Sequence, residues 1–271
     1  MTTTHQNKAL LFRSLHVPGT PLLLANAWDA ASARVVEAAG ARAIATTSAA
    51  VAWAHGHADG QKITLETLLA TVREIARAIH VPLSVDFEAG YAEEPEAIAE
   101  PLAAVLDAGA VGVNLEDGTG APEVLAARIA VAKRVAARAG VNLYVNARAD
   151  VYLRKLMSGE AALAETLRRG RIYREAGADG LFVPDLLDPP AIEAVAREIP
   201  LPLNLLARRS LGPVAELERL GVRRLSVGAA LAQAALGAAR EASRELLQRG
   251  TYNTLFANPV SGADLNGWFT R

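Results

Sequence analysis

A unit that repeats along the chain limits the folds that it can adopt. In each repeat, an amphipathic helical pattern ends in Ala-Gly or Leu-Gly, and a short apolar run follows. The glycines at these junctions are Gly40, Gly109, Gly140, Gly177 and Gly221. Glycine reaches the left-handed backbone conformation that ends many helices without steric cost. The repeats therefore predict helices that alternate with strands through most of the chain.

Eight short apolar runs carry the strand signal, at residues 22–25, 43–47, 83–87, 111–115, 143–146, 180–183, 203–206 and 224–227. They lack the apolar–polar alternation of a half-exposed sheet, which is typical of parallel strands covered on both faces. Eight such strands favour a (β/α)8 barrel of the TIM type, and a doubly wound sheet is the alternative. No Gly-x-Gly-x-x-Gly follows the first run, so the usual dinucleotide-binding signature is missing.

One barrel accounts for the length of 271 residues. The last helical pattern covers about residues 229–248, and the tail at 251–271 carries Phe256, Trp268 and Phe269. A barrel needs nothing after its eighth helix, and aromatic side chains in a tail usually dock, here across the barrel bottom or on another subunit. We therefore predict a single barrel domain over residues 1–271 with a C-terminal tail over 251–271.

Composition excludes several classes of protein. The 28 basic and 29 acidic residues leave a net charge of −1, which gives no electrostatic reason to expect nucleic acid or an anionic membrane as partner. The chain has no cysteine, so disulfides, iron–sulfur clusters and cysteine nucleophiles are excluded. No stretch resembles a signal peptide or is long and apolar enough to span a bilayer. We expect a soluble, cytoplasmic protein with neither nucleic acid nor membrane as partner.

Carboxylates gather where the predicted strands end, and those ends carry the active site of a (β/α)8 barrel. Asp86 and Glu88 alternate along the third run, so both can face the barrel mouth. Glu116 follows the next run, and Asp59 lies in an earlier loop. Four carboxylates in one mouth would repel each other and raise each other's pKa values unless a cation lies among them. Oxygen ligands of this kind suit Mg²⁺ or Mn²⁺.

Each acidic residue, considered alone, could instead have a structural role. Asp29 could cap a helix, and Asp117 or Glu88 could pair with an arginine. Arg148 ends the fifth run, where a guanidinium could grip a substrate carboxylate with two hydrogen bonds. Its structural alternative is a salt bridge to Glu116 or Asp150.

The sequence gives little support for a metal site built from histidines or for a catalytic lysine. His55 and His57 suggest the paired histidines of a metallohydrolase, but such a site needs further histidines and none follows His80. We expect both to be solvated loop residues, although one could still reach a substrate as an acid. A class I aldolase needs a desolvated lysine inside the barrel, and no lysine lies on a predicted strand.

Several segments, in this order along the chain, resemble the isocitrate lyase/phosphoenolpyruvate mutase superfamily. They are Asn26-Ala27-Trp28-Asp29-Ala30-Ala31-Ser32-Ala33-Arg34, Ala38-Ala39-Gly40, Thr46-Thr47-Ser48, Asp86-Phe87-Glu88-Ala89-Gly90-Tyr91, Val113-Asn114-Leu115-Glu116-Asp117-Gly118 and Asn146-Ala147-Arg148-Ala149-Asp150. The resemblance covers about residues 18–248. It implies a Mg²⁺-dependent barrel, with Mn²⁺ as an alternative metal, that acts on a small 2-oxo or 2-hydroxy carboxylate through a metal-stabilised enolate.

The resemblance also implies roles for individual residues. Asp86 would bind the metal directly, and Asp59, Glu88 and Glu116 would hold metal-bound waters. The residues predicted to take part in catalysis are Arg148, Glu116 and Ser48, and those predicted to contact substrate are Trp28, Ser48, Ala49, Ala50, Arg148 and Asn204. The family further implies homo-oligomers, dimers or tetramers, that exchange C-terminal helices between subunits, which would give the tail a role.

The segment after the fourth strand departs from the family pattern. The family's lyases carry Lys-Lys-Cys-Gly-His there, whereas this chain has Gly118-Thr119-Gly120-Ala121-Pro122-Glu123. Decarboxylation needs an electron sink but no acid from this segment. A C–C bond lyase or a 2-oxo acid decarboxylase is therefore our first hypothesis. A lyase without cysteine would have to use water, Tyr91 or a loop histidine as its acid.

Two other hypotheses stay open. One is P–C or P–O chemistry on a phosphonate or a phosphoenolpyruvate-type substrate, with Arg208 and Arg209 holding the phosphoryl group. The other is a protein that binds 2-oxo acids without catalysis, since the metal carboxylates are kept while the family's catalytic loop is missing.

Overall fold

A ring of parallel strands forms the centre of the computed structural model, which describes residues 4–270. The strands are β1 (Leu22–Leu24), β2 (Asn26–Ala27), β3 (Ile44–Thr46), β4 (Leu83–Asp86), β5 (Gly112–Glu116), β6 (Tyr144–Arg148), β7 (Gly180–Phe182), β8 (Leu203–Leu206) and β9 (Val222–Ser226). Only Ala25 separates β1 from β2, and β1 pairs with β9 while β2 pairs with β3. The ring is therefore nearly continuous, and the predicted TIM-type α/β barrel is confirmed.

Helices surround this ring and connect its strands. They are α1 (Thr4–Ser14), α2 (Ala30–Ala38), α3 (Ser48–Ala54), α4 (Leu65–Ala78), α5 (Ala99–Asp107), α6 (Pro122–Arg138), α7 (Gly159–Glu175), α8 (Pro189–Glu198), α9 (Val214–Arg219), α10 (Ala230–Arg244) and α11 (Gly262–Phe269). Within residues 4–270, none of the helices combines the length and the apolar character needed to cross a membrane.

The five glycines of the repeat follow helices α2, α5, α6, α7 and α9, as predicted, and all have positive φ angles. Gly109 shows why the residue type matters. Its φ is 108°, and a Cβ at this position would lie 2.8 Å from the Cβ of Ala76. Both the conformation and the space therefore require glycine where the chain turns from α5 towards β5.

The lower end of the barrel is closed by α1, an element that the sequence patterns do not predict. Phe12 is fully buried among side chains from β1, β3 and β6. Its ring meets that of Tyr144 edge-on, with the centroids 5.5 Å apart. Gly112 provides the room, because a Cβ there would lie 2.6 Å from Phe12 Cε1. The amino-terminal helix thus fills the place where the sequence analysis had allowed for the C-terminal tail.

The C-terminal tail lies on the outside of the barrel, where α11 packs near α2. Several of its apolar side chains are exposed in the single chain, with Phe256 71% exposed and Tyr252 58% exposed. The extra C-terminal helical segment is present, and its exchange between subunits stays a prediction.

We predict that Phe12→Ala lowers the free energy of unfolding by about 3–5 kcal/mol, because it leaves a cavity in the lower core. Leu11→Ala is the matched control, since Leu11 lies on the same helix and is 48% exposed; it should cost less than about 1 kcal/mol. Urea unfolding of both variants measures the difference. Equal losses would mean that α1 does not close the barrel.

Candidate active site

A cavity of about 280 Å³ opens at the carboxyl ends of the strands. The predicted site residues that line it are Ser48, Ala49, Asp59, Asp86 and Arg148. Larger clefts, of about 470, 420 and 520 Å³, lie elsewhere on the surface and contain none of the predicted site residues. The convergence of strand ends and polar side chains therefore identifies the smaller cavity as the candidate active site.

Asp86 lies at the end of β4, and its carboxylate is only partly satisfied. Its Oδ2 accepts a hydrogen bond from the Ser48 backbone N–H at 3.0 Å. Its own backbone N–H donates to Thr46 Oγ1 at 2.8 Å, which fixes the end of the strand. Asp86 Oδ1 is buried and has no hydrogen-bond partner among residues 4–270. A buried carboxylate oxygen without a partner calls for a ligand.

Glu88 follows β4 in a left-handed backbone conformation, with φ of 49°. Three hydrogen bonds hold it there. Its Oε1 accepts from the Gln61 N–H at 2.6 Å, its Oε2 accepts from the Tyr91 hydroxyl at 2.9 Å, and its carbonyl accepts from the Glu116 N–H at 3.0 Å. Burial, followed by the nearby charge of Asp86, raises the pKa of Glu88. No arginine within residues 4–270 forms an ion pair with Glu88, and the charge of Asp86 acts on its carboxylate.

Arg148, at the end of β6, is held by two carboxylates. Its Nη1 lies 2.5 Å from Glu116 Oε2, and its Nε and Nη2 donate to Asp150 at 2.6 and 3.0 Å. The salt bridges named as its structural alternative are therefore both present. Asp150 occupies the Nε–Nη2 side of the guanidinium, so a substrate would contact the remaining N–H groups of Nη1 and Nη2.

The charges around Arg148 act on one another. Burial raises the pKa of Glu116 to about 7, although the Arg148 charge opposes this shift and the Asp86 charge adds to it. Burial also disfavours the charge of Arg148, but Glu116 and Asp150 hold its pKa above the usual value. In the absence of another cation, Glu116 is thus poorly stabilised as a carboxylate at neutral pH.

The first turn of α3 forms one wall of the cavity. Ser48 Oγ lies 3.5 Å from Asp59 Oδ1, and Asp59 also accepts from the Gly60 N–H at 2.9 Å. Ala49 lines the cavity, whereas Ala50 is buried behind it. The backbone N–H groups of a first helical turn have no carbonyl partner within the helix. Ala49 and Ala50 therefore carry amide groups suited to an anion.

Besides Ala50, two residues predicted to contact substrate do not line the cavity. Trp28 packs against the main core, and its place at the rim is taken by Trp53, which the sequence analysis does not single out. Asn204 is fully buried and accepts from Ser226 Oγ at 3.3 Å. Trp28 and Trp53 follow neighbouring strands. The sequence does not indicate which of them faces the cavity, because that depends on the conformation of each βα loop.

A second layer of buried charges supports Arg148 from α7. Asp117 Oδ1 accepts from the Asp150 N–H at 2.9 Å, and its Oδ2 accepts from Arg169 Nη1 at 2.7 Å and from the Tyr173 hydroxyl. Asp117 therefore pairs with an arginine, as one alternative anticipated. The sequence patterns do not single out Arg169 or Tyr173. Polar residues on the buried face of α7 are the signal that could have identified them.

The other polar residues considered in the sequence lie where a structural role would explain them. Asp29 caps α2, with the Ser32 N–H donating to its Oδ1 at 2.6 Å. His55 is exposed and its Nε2 lies 3.0 Å from Thr71 Oγ1, and His57 is also exposed. Arg208 lines the cavity and donates to Asp185 at 2.6 Å.

The carboxylate oxygens of the site suit a divalent cation that keeps several of its waters. Within residues 4–270, no three His, Asp or Glu side chains come close enough to hold a metal by themselves. Magnesium in proteins commonly takes one or two carboxylates and keeps several waters. A single buried, unpartnered oxygen on Asp86, with further carboxylates nearby, fits that mode of binding.

The chain belongs to the phosphoenolpyruvate phosphomutase family, whose model matches residues 12–247. It is 40% identical over 234 residues to an uncharacterized protein of Mycobacterium tuberculosis H37Rv, covering 86% of this chain and 87% of that protein. It is 26% identical to an oxaloacetate decarboxylase of Pseudomonas putida, covering 99% of this chain and 93% of that enzyme. A crystal structure from Burkholderia cenocepacia, provisionally described as a lyase/mutase, superimposes with a TM-score of 0.90 at 35% identity, covering 100% and 98% of the two chains.

We predict that Arg169→Met lowers the free energy of unfolding by about 3–5 kcal/mol, because it leaves the fully buried Asp117 carboxylate without its cation. The neighbouring Arg168 is 49% exposed and pairs with Glu165 at the surface. Arg168→Met should therefore cost less than about 1 kcal/mol. Denaturant unfolding of the two variants tests the support of the site, and a small loss for Arg169→Met would contradict it.

Proposed function

We propose that the protein is a Mg²⁺-dependent enzyme that breaks a C–C bond beside the 2-oxo group of a small dicarboxylate, as a 2-oxo acid decarboxylase or a closely related lyase. The observation that carries the proposal is the buried, unpartnered Oδ1 of Asp86 at the base of a cavity that also holds Arg148. The match to an oxaloacetate decarboxylase along 99% of the chain supports the reaction type.

When bound, the divalent ion would supply Lewis-acid polarisation of the substrate's 2-oxo oxygen. Asp86 would hold it directly through Oδ1, while Mn²⁺ could replace Mg²⁺ at the same oxygen ligands. Asp59, Glu88 and Glu116 would accept hydrogen bonds from its waters. The raised pKa of Glu116 agrees with this assignment, because a carboxylate whose charge is disfavoured by burial gains most from a nearby cation.

The chain's own donors would place the substrate's carboxylates. The Ser48 N–H is already used by Asp86, so Ser48 would contribute its hydroxyl, together with the amides of Ala49 and Ala50. Arg148 would contact the second carboxylate through its Nη1 and Nη2 groups, because Asp150 holds the other side of the guanidinium. Two anion-binding groups on opposite walls select a dianion.

Decarboxylation also fits the segment at residues 118–123, which has no cysteine, lysine or histidine. Loss of CO2 leaves the electron pair of the broken C–C bond in the enolate, so no acid acts in the bond-breaking step. The proton that completes the product at C3 can come from water. Tyr91, whose hydroxyl donates to Glu88, is fixed by that hydrogen bond and would support Glu88 instead of acting as the acid.

Phosphoryl chemistry is the second candidate, because the family model describes a phosphomutase and Arg208 lines the cavity. Arg209 does not line it, and Arg208 is paired with Asp185, so only one of the two arginines proposed for a phosphoryl group is near the site. Incubation with phosphonopyruvate or phosphoenolpyruvate separates the two functions. Rearrangement or phosphate release, with oxaloacetate left unchanged, would establish the second. Binding without any turnover would establish a 2-oxo acid binding protein.

We predict that Asp86→Ala abolishes Mg²⁺ binding, whereas Glu88→Gln only weakens it. The first change removes the sole direct protein ligand, and the second keeps an oxygen that can accept from a metal-bound water. Isothermal titration with Mg²⁺ and oxaloacetate measures both affinities. If Asp86→Ala bound Mg²⁺ and oxaloacetate as tightly as the wild type, the metal assignment would be wrong.

We predict that oxaloacetate binds far more tightly than succinate in the presence of Mg²⁺. The two dianions are similar in size, but only oxaloacetate can offer adjacent oxo and carboxylate oxygens to the ion. Equal affinities for oxaloacetate and succinate would contradict chelation of the 2-oxo acid.

We predict that Arg148→Lys reduces oxaloacetate affinity by about 1–3 kcal/mol, because the variant keeps the charge but loses the planar group held by Asp150.

A further inference from the structure

A fully buried arginine crosses the barrel beneath the cavity. Arg224, in the middle of β9, is 1% exposed and does not line the active site. Its Nη2 donates to Asn114 Oδ1, on β5, over 3.3 Å. Its Cζ lies 5.9 Å from the centre of the Phe12 ring. Its Nε and Nη1 have no hydrogen-bond partner among residues 4–270.

Other buried side chains of the barrel also have an atom without a partner among residues 4–270. Asn204 Nδ2 on β8 and His16 Nε2 are two such atoms, and three more are the hydroxyls of Ser84 on β4 and Tyr144 on β6 and the amide oxygen of Asn146 on β6. We call these three residues and Arg224 the interior cluster. None of the four is more than 2% exposed. The unsatisfied atoms are therefore sealed from bulk water.

Glycines let neighbouring strands pack closely against the interior cluster. A Cβ on Gly180 would lie 2.5 Å from the Tyr144 hydroxyl and 2.8 Å from Asn146 Oδ1. A Cβ on Gly112 would lie 3.1 Å from Ser84 Oγ. Both glycines belong to central strands, where a residue without a side chain weakens the strand and usually marks a close approach.

Charge is also unbalanced in this interior. No acidic side chain within residues 4–270 forms an ion pair with Arg224. The acidic groups that act on it at longer range are Tyr144, which is neutral at physiological pH because burial raises its pKa, and Asp86. His16 and Arg13 approach from the lower side, where the Arg13 charge is paired with Asp179 at 2.7 Å. Burial lowers the pKa of Arg224 to about 10, so the guanidinium stays cationic at neutral pH.

The number of donors decides which ligand would satisfy the cluster. Arg224, Tyr144 and Ser84 offer N–H and O–H donors. Asn146 Oδ1 is an acceptor, and so is Nε2 of the neutral His16, whose Nδ1 donates to the Phe12 carbonyl. The donors still outnumber these acceptors. A water molecule would bring two more protons that need acceptors, and it would leave the charge uncompensated. Burial of an unpaired ion is strongly unfavourable, so compensation of the Arg224 charge is a strong requirement. A monatomic anion accepts from every donor and brings no proton.

We propose that the barrel interior binds a small monovalent anion of chloride size, held by Arg224 together with the hydroxyls of Tyr144 and Ser84. A halide is favoured over a carboxylate or phosphate, because the four residues of the cluster are almost fully buried and a small anion needs the least room. The anion would compensate the Arg224 charge beneath Asp86. This site is separate from the proposed substrate cavity and does not depend on the enzyme's reaction.

The first test uses the full chain in sodium gluconate and sodium chloride at constant ionic strength. Chloride that binds only the folded protein raises the melting temperature with a saturable dependence on concentration. We expect that dependence for the wild type and its loss in Arg224→Met. Arg223→Met is the matched control, because Arg223 is the next residue of β9, is half-buried, and donates to the Val222 carbonyl; it should keep the dependence.

Tyr144→Phe tests the site even if Arg224→Met fails to fold. This variant removes one hydroxyl and should raise the chloride concentration at half-saturation by about threefold to tenfold, which corresponds to one hydrogen bond. Crystals grown in sodium bromide give a direct observation, with an anomalous peak expected beside Nε or Nη1 of Arg224. Identical stability in chloride and gluconate, together with no bromide peak in the interior, would overturn the proposal and show that water alone fills the cluster.

Discussion

The register of three neighbouring strands fixes nearly every polar side chain of the site. Asp86 on β4 lies opposite Asn114 on β5, and Asn114 lies opposite Asn146 on β6. Two residues further along, Glu116 lies opposite Arg148. Because side chains alternate between the two faces of a strand, a slip of one residue would turn all of these groups out of the barrel. The carboxylates and the arginine therefore meet because the parallel ladder is in this register, and the loops only complete the arrangement.

The chemistry of the site then follows from how its negative charge is balanced. Asp86, Glu88, Glu116 and Asp150 act on one another, but Arg148 pairs directly only with Glu116 and Asp150. Hydrogen bonds compensate part of this excess, and the left-handed conformation of Glu88 is kept because its carboxylate and its carbonyl are both bound. Backbone strain of this kind persists only where the surrounding structure holds it. Among the described residues, Oδ1 of Asp86 is left without a partner, and this is the oxygen at which we propose that a cation binds.

The sequence was sufficient for those parts of the fold that depend on neighbours along the chain. Helix ends at residues such as Gly109, and apolar runs such as residues 111–115, report local backbone preferences, so the strands were predicted within a few residues of their observed bounds. The carboxylates at the strand ends were predictable because a barrel brings all such ends to one rim.

Contacts between distant segments were not predictable in the same way. The patterns do not show that α1 fills the lower end, because Phe12 is buried only by virtue of the space left by Gly112. They also do not show how Glu116 and Asp150 share the Arg148 guanidinium, with Asp150 on the Nε side and Glu116 at Nη1. Whether Trp28 or Trp53 reaches the cavity depends on loop geometry. Tertiary packing, and not the local sequence, determines these contacts.

The short segment after β5 links this packing to the choice of reaction. The Gly120 N–H donates to the Asp117 carbonyl at 2.8 Å, and Arg169 Nη1 lies 3.3 Å from the Gly120 carbonyl. The same Arg169 binds the Asp117 carboxylate, which in turn holds the Asp150 backbone beside Arg148. Movement of this segment over the cavity would break both of the hydrogen bonds made by Gly120. Residues 118–123 do not line the cavity, and a mouth that is open on this side suits the proposed decarboxylation, whose enolate takes its proton from water, better than a reaction that must exclude water.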